Sequence, residues 1–468
     1  MRNIRLFFIF LFASLILTPA TSAQSVEGKW YGKLKIQNTE LRVVFDIKRS
    51  DSLYIGTMDS PDQGATGIPM ESVTFSNSIL KIKHSSIMME YNGVYMGDKI
   101  IGTFRQAGQT IQLNLSKRVP EGAARPQEPQ EPFPYISEEL FIPNKRDSIV
   151  LSGTLSLPLK GIVHNAVILI SGSGPQNRNE EIMGHKPFLV LSDFLTRNGI
   201  AVLRYDDRGV GASGGKFATA NTMDFAEDVR WVYKFLRDRE DIGKIGIIGH
   251  SEGGIIAPIV ASEYDDISFI ILMAAPGMKG RDIIISQQAA IAQASGSSQE
   301  DIEAYQSLNN KIFDLIEAHK DDMTSLRKII SETLVKESNG EIPQSAINQQ
   351  LASLLTPWMI FYLNYDPLDA LKKVKCPVLA INGNKDLQVI SKTNLDIIYM
   401  ALTGEKRPNN AVVTHSNNNV TTIEYESLNH LFQTAPTGHP KEYSTIEETM
   451  NPSVLKSILE WINEIITR

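Results

Sequence analysis

Near Tyr135 the hydrophobic pattern of this chain changes period, and that change constrains its fold more than any other feature. Before it, from Val26 to about Arg118, apolar and polar residues alternate in short runs such as Leu80-Lys-Ile-Lys83 and Ile111-Gln-Leu-Asn-Leu115. Neighbouring side chains on a strand point to opposite faces, so this period of two predicts about eight antiparallel strands, with turns at sites such as Asn92-Gly93 and Gly97-Asp98. Residues 24–118 are therefore read as an all-β barrel or sandwich. A barrel of that size either holds a small ligand or is filled by its own side chains, and no polar cluster marks an interior site.

After Tyr135 short apolar strands alternate with helical runs, which predicts an α/β fold over residues 135–468, with a mostly parallel sheet and helices on both faces. Strand candidates are Ala166–Ile170, Ile200–Leu203, Ile245–Ile248, Phe269–Met273, Val378–Ile381 and Thr422–Glu426. An antiparallel pair, Glu138–Ile142 and Ser148–Ser156, is expected ahead of them. In Met223–Leu236 the residues Phe225, Val229, Val232 and Phe235 share one helical face. Residues 277–364 interrupt the alternation with amphipathic helical sequence, which reads as a cap inserted between core strands. Within it, Trp358-Met-Ile-Phe-Tyr362 either lines a substrate pocket or packs the cap itself. Residues 119–134 are too rich in proline for helix or sheet and read as a linker between the two parts.

Residues 1–23 combine a basic start, an apolar block from Leu6 to Leu17 and a small-residue site at Thr21-Ser-Ala23. That is the pattern of a cleavable secretory signal, so a secreted, periplasmic or extracellular protein without stable membrane insertion is expected. The single cysteine, Cys376, forbids an internal disulfide and is read as a buried strand residue. A formal net charge of −7 argues against a nucleic-acid partner, because phosphate backbones are bound by clustered lysine and arginine. No paired-cysteine, His-Glu-x-x-His or phosphate-loop pattern occurs, so neither a metal nor another cofactor is expected.

The chemistry is concentrated at Lys244-Ile-Gly-Ile-Ile-Gly-His-Ser-Glu-Gly-Gly254, where an apolar strand runs into Gly249-x-Ser251-x-Gly253 and then into a helix. A serine on so tight a turn needs small residues two before and two after it, and the turn lifts its hydroxyl above the sheet edge. Serine needs a general base, and the base needs an orienting carboxylate. Asp386 follows the strand Val378–Ile381, and His430 follows Thr422–Glu426. The rivals are weaker: Asp366 lies before its strand, and His439 lies farther out beside Pro440. His250 adjoins the serine but is expected to point away from it. Two N–H donors must face a developing oxyanion. Glu252 supplies one, and the loop Ile168-Leu-Ile-Ser-Gly-Ser-Gly-Pro175 supplies the other, assigned to Ser173 with Gly174 as the alternative. Gly172 and Gly174 let the backbone approach a substrate. The Glu252 side chain either pairs with Arg208 or receives a substrate amine, and Arg204-Tyr-Asp-Asp-Arg208 is read as a structural salt-bridge loop.

Gly172-Ser-Gly-Pro175, Arg204-Tyr-Asp-Asp-Arg-Gly-Val-Gly-Ala-Ser213, Gly249-His-Ser-Glu-Gly-Gly254, Asn382-Gly-Asn-Lys-Asp-Leu-Gln388 and Leu428-Asn-His-Leu-Phe-Gln433 resemble, in order, the α/β-hydrolase carboxylesterases of bacteria and their serine aminopeptidase-like relatives. The resemblance implies a Ser251, His430, Asp386 triad beneath a helical cap. Ser171-Gly172 stands where many relatives have His-Gly, a departure that bears on the donor assignment. The expected substrate is a small acyl ester or a short peptide. Ester cleavage is the leading reading, peptide cleavage by the same triad is the alternative, and a binding protein with an inert hydrolase domain is the third.

Overall fold

A computed structural model of the chain describes residues 25–468 apart from 37–38, 51–52, 61–64, 107, 119–123, 409–412, 416–419 and 468. The expected signal sequence lies outside the described residues. Two units separate near residue 120.

In the first unit the alternation is realised as an antiparallel barrel of eight strands. These are Gly28–Ile36, Thr39–Ser50, Leu53–Ser60, Ser72–Ser76, Ile79–His84, Met89–Tyr95, Lys99–Gln106 and Leu115–Ser116. The ring closes where Leu115–Ser116 pairs with both the first strand and Lys99–Gln106. In Ile79–His84, Leu80 and Ile82 point inward while Lys81 and Lys83 face outward. Trp30, Phe45, Leu80, Ile82 and Tyr91 fill the interior, so the barrel is packed with its own side chains.

The second unit carries a nine-stranded sheet. Its strands are β1 (Ile136–Asn144), β2 (Ile149–Leu157), β3 (His164–Ile170), β4 (Ala201–Tyr205), β5 (Ile242–His250), β6 (Phe269–Met273), β7 (Val378–Gly383), β8 (Val413–His415) and β9 (Val420–Tyr425). The spatial order is β1-β2-β4-β3-β5-β6-β7-β9-β8, parallel from β4 through β9 and antiparallel at both ends. The central strands are buried along nearly all of their length, β6 and β7 throughout, as a sheet covered on both faces requires.

Helices α1 (Pro187–Arg197), α2 (Thr222–Arg237) and α3 (Gly253–Ala261) are followed by α4 (Gly280–Ala294), α5 (Gln299–His319), α6 (Met323–Glu337), α7 (Gln344–Leu354) and α8 (Pro357–Asn364). The series ends with α9 (Leu368–Leu371), α10 (Ser391–Thr403) and α11 (Pro452–Thr467). Phe188 and Leu191 of α1 and Ile458, Trp461 and Ile462 of α11 cover one face of the sheet; α2, α3 and α10 cover the other. Each fully buried isoleucine among them contributes about 1.5–3 kcal/mol. Helix α2 starts where its sequence says it should: Asn221 Oδ1 accepts from Met223 N–H and Asp224 Oδ2 from Asn221 N–H. Helices α4–α8 stand between β6 and β7 with a core of their own around Phe313, Ile316, Ile330 and Leu351.

The proline-rich segment read as a linker is, over its described part, fastened to the second unit. Arg125 donates to the carbonyls of Met183, Gly184, Ser444 and Ile446, and Gln127 exchanges hydrogen bonds with Thr449 and Met450. Prolines forbid regular structure here, yet they leave side chains free to bind backbone. Among the described residues, no helix is long and apolar enough to cross a membrane.

Candidate active site

β5 ends at His250 and α3 begins at Gly253, leaving Ser251 in the turn between them. Ser251 has a φ of 52°, a left-handed conformation that costs a non-glycine residue about 1–3 kcal/mol and persists only where surroundings enforce it. Its N–H is held by the Met273 carbonyl at 2.9 Å. A methyl group added at Gly249 would collide with the Gly253 carbonyl, and one added at Gly253 with the Ile170 carbonyl. Both glycines are thus required by close backbone approach.

Asp386 lies in the turn that leaves β7, and its Oδ1 accepts from Gln388 and Val389 N–H at 2.7 and 2.9 Å. Those bonds fix the carboxylate and leave Oδ2 for His430 Nδ1, at 2.7 Å. His430 lies in the loop that follows β9, where Asn429 Oδ1 accepts from Leu431 and Gln433 N–H and fixes the turn. Asp386 and His430 are both buried. Among the described residues no hydrogen bond joins the Ser251 hydroxyl to the His430 ring. The two are linked through the residue next to Ser251, because His250 Nε2 lies 3.0 Å from the His430 carbonyl and the two histidine rings are 4.8 Å apart.

The rivals are occupied elsewhere. His439 accepts from Lys441 N–H and meets the Ser295 hydroxyl, while Asp366 accepts from Leu368 N–H. Cys376 precedes β7, at the opposite end from Asp386, and burial pushes its thiol up to about 12. It is half-buried ahead of the strand, not within it.

In the loop after β3, Gly172 N–H donates to Glu180 Oε1 at 2.7 Å, whereas the N–H groups of Ser173, Gly174 and Glu252 have no acceptor among the described residues. A Cβ at Gly172 would stand 3.1 Å from Ser251 Cβ, so this glycine is where the loop touches the elbow. Ser171, in the place of the more usual histidine, donates to Asp207, and Gln176 N–H holds the other oxygen of that carboxylate.

The Glu252 side chain does not pair with Arg208. Its Oε1 accepts from Thr222 Oγ1 at 2.7 Å and Trp358 Nε1 at 2.8 Å, which ties the elbow to α2 and to cap helix α8. Burial lifts its carboxyl to about 7 against the pull of these two bonds. Trp358 stacks on Tyr362, and α8 therefore packs the cap against the elbow. Arg208 is instead consumed by Asp228 and Asp147, and Asp206 by Arg178, so this charged run braces the loops around the site.

Sequence reasoning missed the partners of His250. Its Nδ1 lies 2.8 Å from Glu180 Oε1, and both side chains are buried. Burial works against a charge on His250, but the Glu180 carboxylate and the His430 carbonyl hold it above its ordinary value. Glu180 belongs to no motif, and its position five residues beyond Pro175 carries no signal of its own. Among the described residues, no group of three or more histidine, cysteine or acidic side chains is arranged to hold a metal ion.

The strand order, with each candidate reacting group on the loop leaving the C-terminal end of its strand, is the arrangement of the α/β-hydrolase fold. Residues 187–340 match the family described as serine aminopeptidase, S33, a span that takes in the elbow but neither Asp386 nor His430. The chain is 26% identical over 306 residues to esterase EstD of Thermotoga maritima, covering 64% of this chain and 61% of that relative. This chain thus spans less than two thirds of the length of the curated relative. Solved structures similar to it include an esterase, Pf2001, of Pyrococcus furiosus (16% identity, 74% of this chain and 98% of that one, TM-score 0.44). Est1E of Butyrivibrio proteoclasticus with ferulic acid bound (16%, 70% and 100%, TM-score 0.40) is another. A proline iminopeptidase of Mycobacterium smegmatis (14%, 70% and 98%, TM-score 0.41) is a third.

Proposed function

We propose that this chain is a serine hydrolase that cleaves carboxylic esters through an acyl-enzyme on Ser251. The observation that carries the reading is the buried Asp386–His430 hydrogen bond on loops beside a strained serine elbow. An ionised carboxylate only accepts, so Nδ1 carries the proton and Nε2 keeps the lone pair that a general base needs. His430 takes the Ser251 proton as the oxygen attacks the carbonyl, and Asp386 holds the imidazolium that forms. The N–H groups of Ser173 and Glu252 receive the oxyanion. His430 then protonates the leaving alcohol, and water repeats the sequence on the acyl-enzyme. The likeness to a relative named as an esterase supports the choice of substrate class.

Ser251→Ala in the full chain, assayed on a short-chain aryl ester, is expected to lower turnover by several orders of magnitude, because triad members act as a unit. Undiminished hydrolysis by the pure variant ends the reading. The match to a serine aminopeptidase family favours peptide cleavage as the second reading. A substrate amine would need an anionic anchor, and the Glu252 carboxylate already serves Thr222 and Trp358. Esters and aminoacyl amides compared at equal concentration separate the two. Export across the inner membrane completes the proposal, supported by the basic, apolar and small-residue order of residues 1–23. A mature chain starting near Gln24 in the exported fraction is the expected result.

A further inference from the structure

We infer that Glu180 and His250 form a positioning pair that locks the oxyanion loop, the nucleophile elbow and the histidine loop into one register. The inference rests on the hydrolase reading above and concerns how that site is held.

The oxyanion loop, the elbow and the histidine loop are each touched by this pair. Glu180 Oε1 accepts from Gly172 N–H at 2.7 Å, immediately before Ser173. The same oxygen meets His250 Nδ1 at 2.8 Å, immediately before Ser251. His250 Nε2 then reaches the carbonyl of His430 itself at 3.0 Å. A carbonyl can only accept, so Nε2 bears the hydrogen that holds the His430 carbonyl, while Nδ1 faces Glu180 Oε1. His250 is clamped between two oxygens, and although burial works against its charged form, Glu180 and the His430 carbonyl favour it. A neutral histidine could serve one of them as donor but not both.

Two further observations mark the pair as built for this purpose. Glu180 has a φ of 52° and is buried, so a strained backbone is tolerated in order to aim its carboxylate inward. Its second oxygen, Oε2, is buried with no hydrogen-bond partner, so the side chain is committed to the elbow side at the expense of its own satisfaction. Because Glu180 consumes Gly172 N–H, the donor left for an oxyanion moves one residue on, to Ser173. The pair thereby sets the register of the oxyanion loop as well as the placement of the general base. Neither residue touches the reacting atoms, so both act through others, and a misplacement of about 1 Å in such a site costs on the order of 100-fold in rate.

The test uses the full-length chain hydrolysing a short-chain aryl ester. Glu180→Ala is expected to lower kcat about 100-fold with KM nearly unchanged, since positioning acts on the transition state. Glu180→Gln, which keeps an acceptor for Gly172, should lose about 10-fold, a partial rescue that a merely space-filling role would not show. His250→Gln should behave alike, because its amide can donate to Glu180 or to His430 but not to both. The Glu180→Gln, His250→Gln double variant should be no worse than the poorer single one. Where Glu180→Ala fails to fold, the two glutamine variants carry the comparison. Wild-type kcat in the folded variants, or a loss carried by KM alone, overturns the inference. A wild-type chain inert to esters and amides and unlabelled by a fluorophosphonate brings down the hydrolase reading and this inference with it. An active, labelled wild type beside unimpaired variants removes the inference alone.

Discussion

Replacing Glu252 by glutamine should stabilise the protein in mildly alkaline solution and do almost nothing in acid. The carboxyl stands at about 7 in the folded chain because burial penalises its charged form, and no cation among the described residues compensates, although Thr222 and Trp358 each pull it down by hydrogen bonding. An ordinary glutamate carboxyl titrates near 4.5. Between these values the folded state holds a proton that the unfolded chain has released, so stability falls as pH rises through the window. The stabilisation is complete below 4.5 and its loss is complete above 7. At 1.36 kcal/mol per unit, the loss amounts to about 3 kcal/mol. Glutamine keeps an oxygen for the Thr222 hydroxyl and the Trp358 indole but has no charge to desolvate. The second unit's melting temperature should therefore rise by about 4 °C over wild type at pH 8, given the unfolding entropy of a unit this long, and by far less at pH 5. Thermal unfolding followed by circular dichroism at the two pH values is the measurement. A difference between variant and wild type that is the same at pH 5 and pH 8 would refute the assignment of an uncompensated buried carboxylate.

Other substitutions probe the rest of the site. Asp386→Asn turns an acceptor into a group that can donate to His430 Nδ1, so the wrong tautomer results and kcat should fall by about 10³–10⁴-fold with the fold intact; a loss below tenfold would contradict the triad. His439→Gln should leave ester turnover close to wild type, since His439 serves Lys441 and Ser295, and a kcat collapse would make it the base. Gly249→Ala puts a methyl into the Gly253 backbone and should cost more than about 4 kcal/mol or prevent soluble expression altogether. A well-folded Gly249→Ala protein melting with wild type would show that the elbow is looser than its geometry implies.

Much of this architecture is legible in the chain because its signals are local. Leu80-Lys-Ile-Lys83 alternates because one face meets the barrel core, and the strands of the second unit lose that alternation because both faces are covered. Gly249 and Gly253 declare the elbow because nothing larger fits the turn. Asp386 and His430 stand out as candidates because each lies in the loop a few residues beyond a sheet strand. What the chain does not disclose depends on contacts between distant segments. Glu180 and His250 are 70 residues apart, and Glu252 and Trp358 are 106 apart; only the folded sheet and cap bring them together. The pairing of Glu252 with Arg208 was reasonable by charge, but Asp228 on α2 takes that guanidinium first. The proline-rich segment misleads for a similar reason: its composition rules out regular secondary structure and says nothing about what its arginine and glutamine can hold.

The anchored strap around Arg125 bears on where this protein can be cut. Its guanidinium satisfies carbonyls from two separate loops, one near Gly184 and one near Ile446. A shortened gene beginning at Tyr135, the boundary that hydropathy suggests, would strand those oxygens and loosen the peptide just ahead of α1. A fragment intended to stand alone should start upstream of Ala124, so that it takes its own buckle with it.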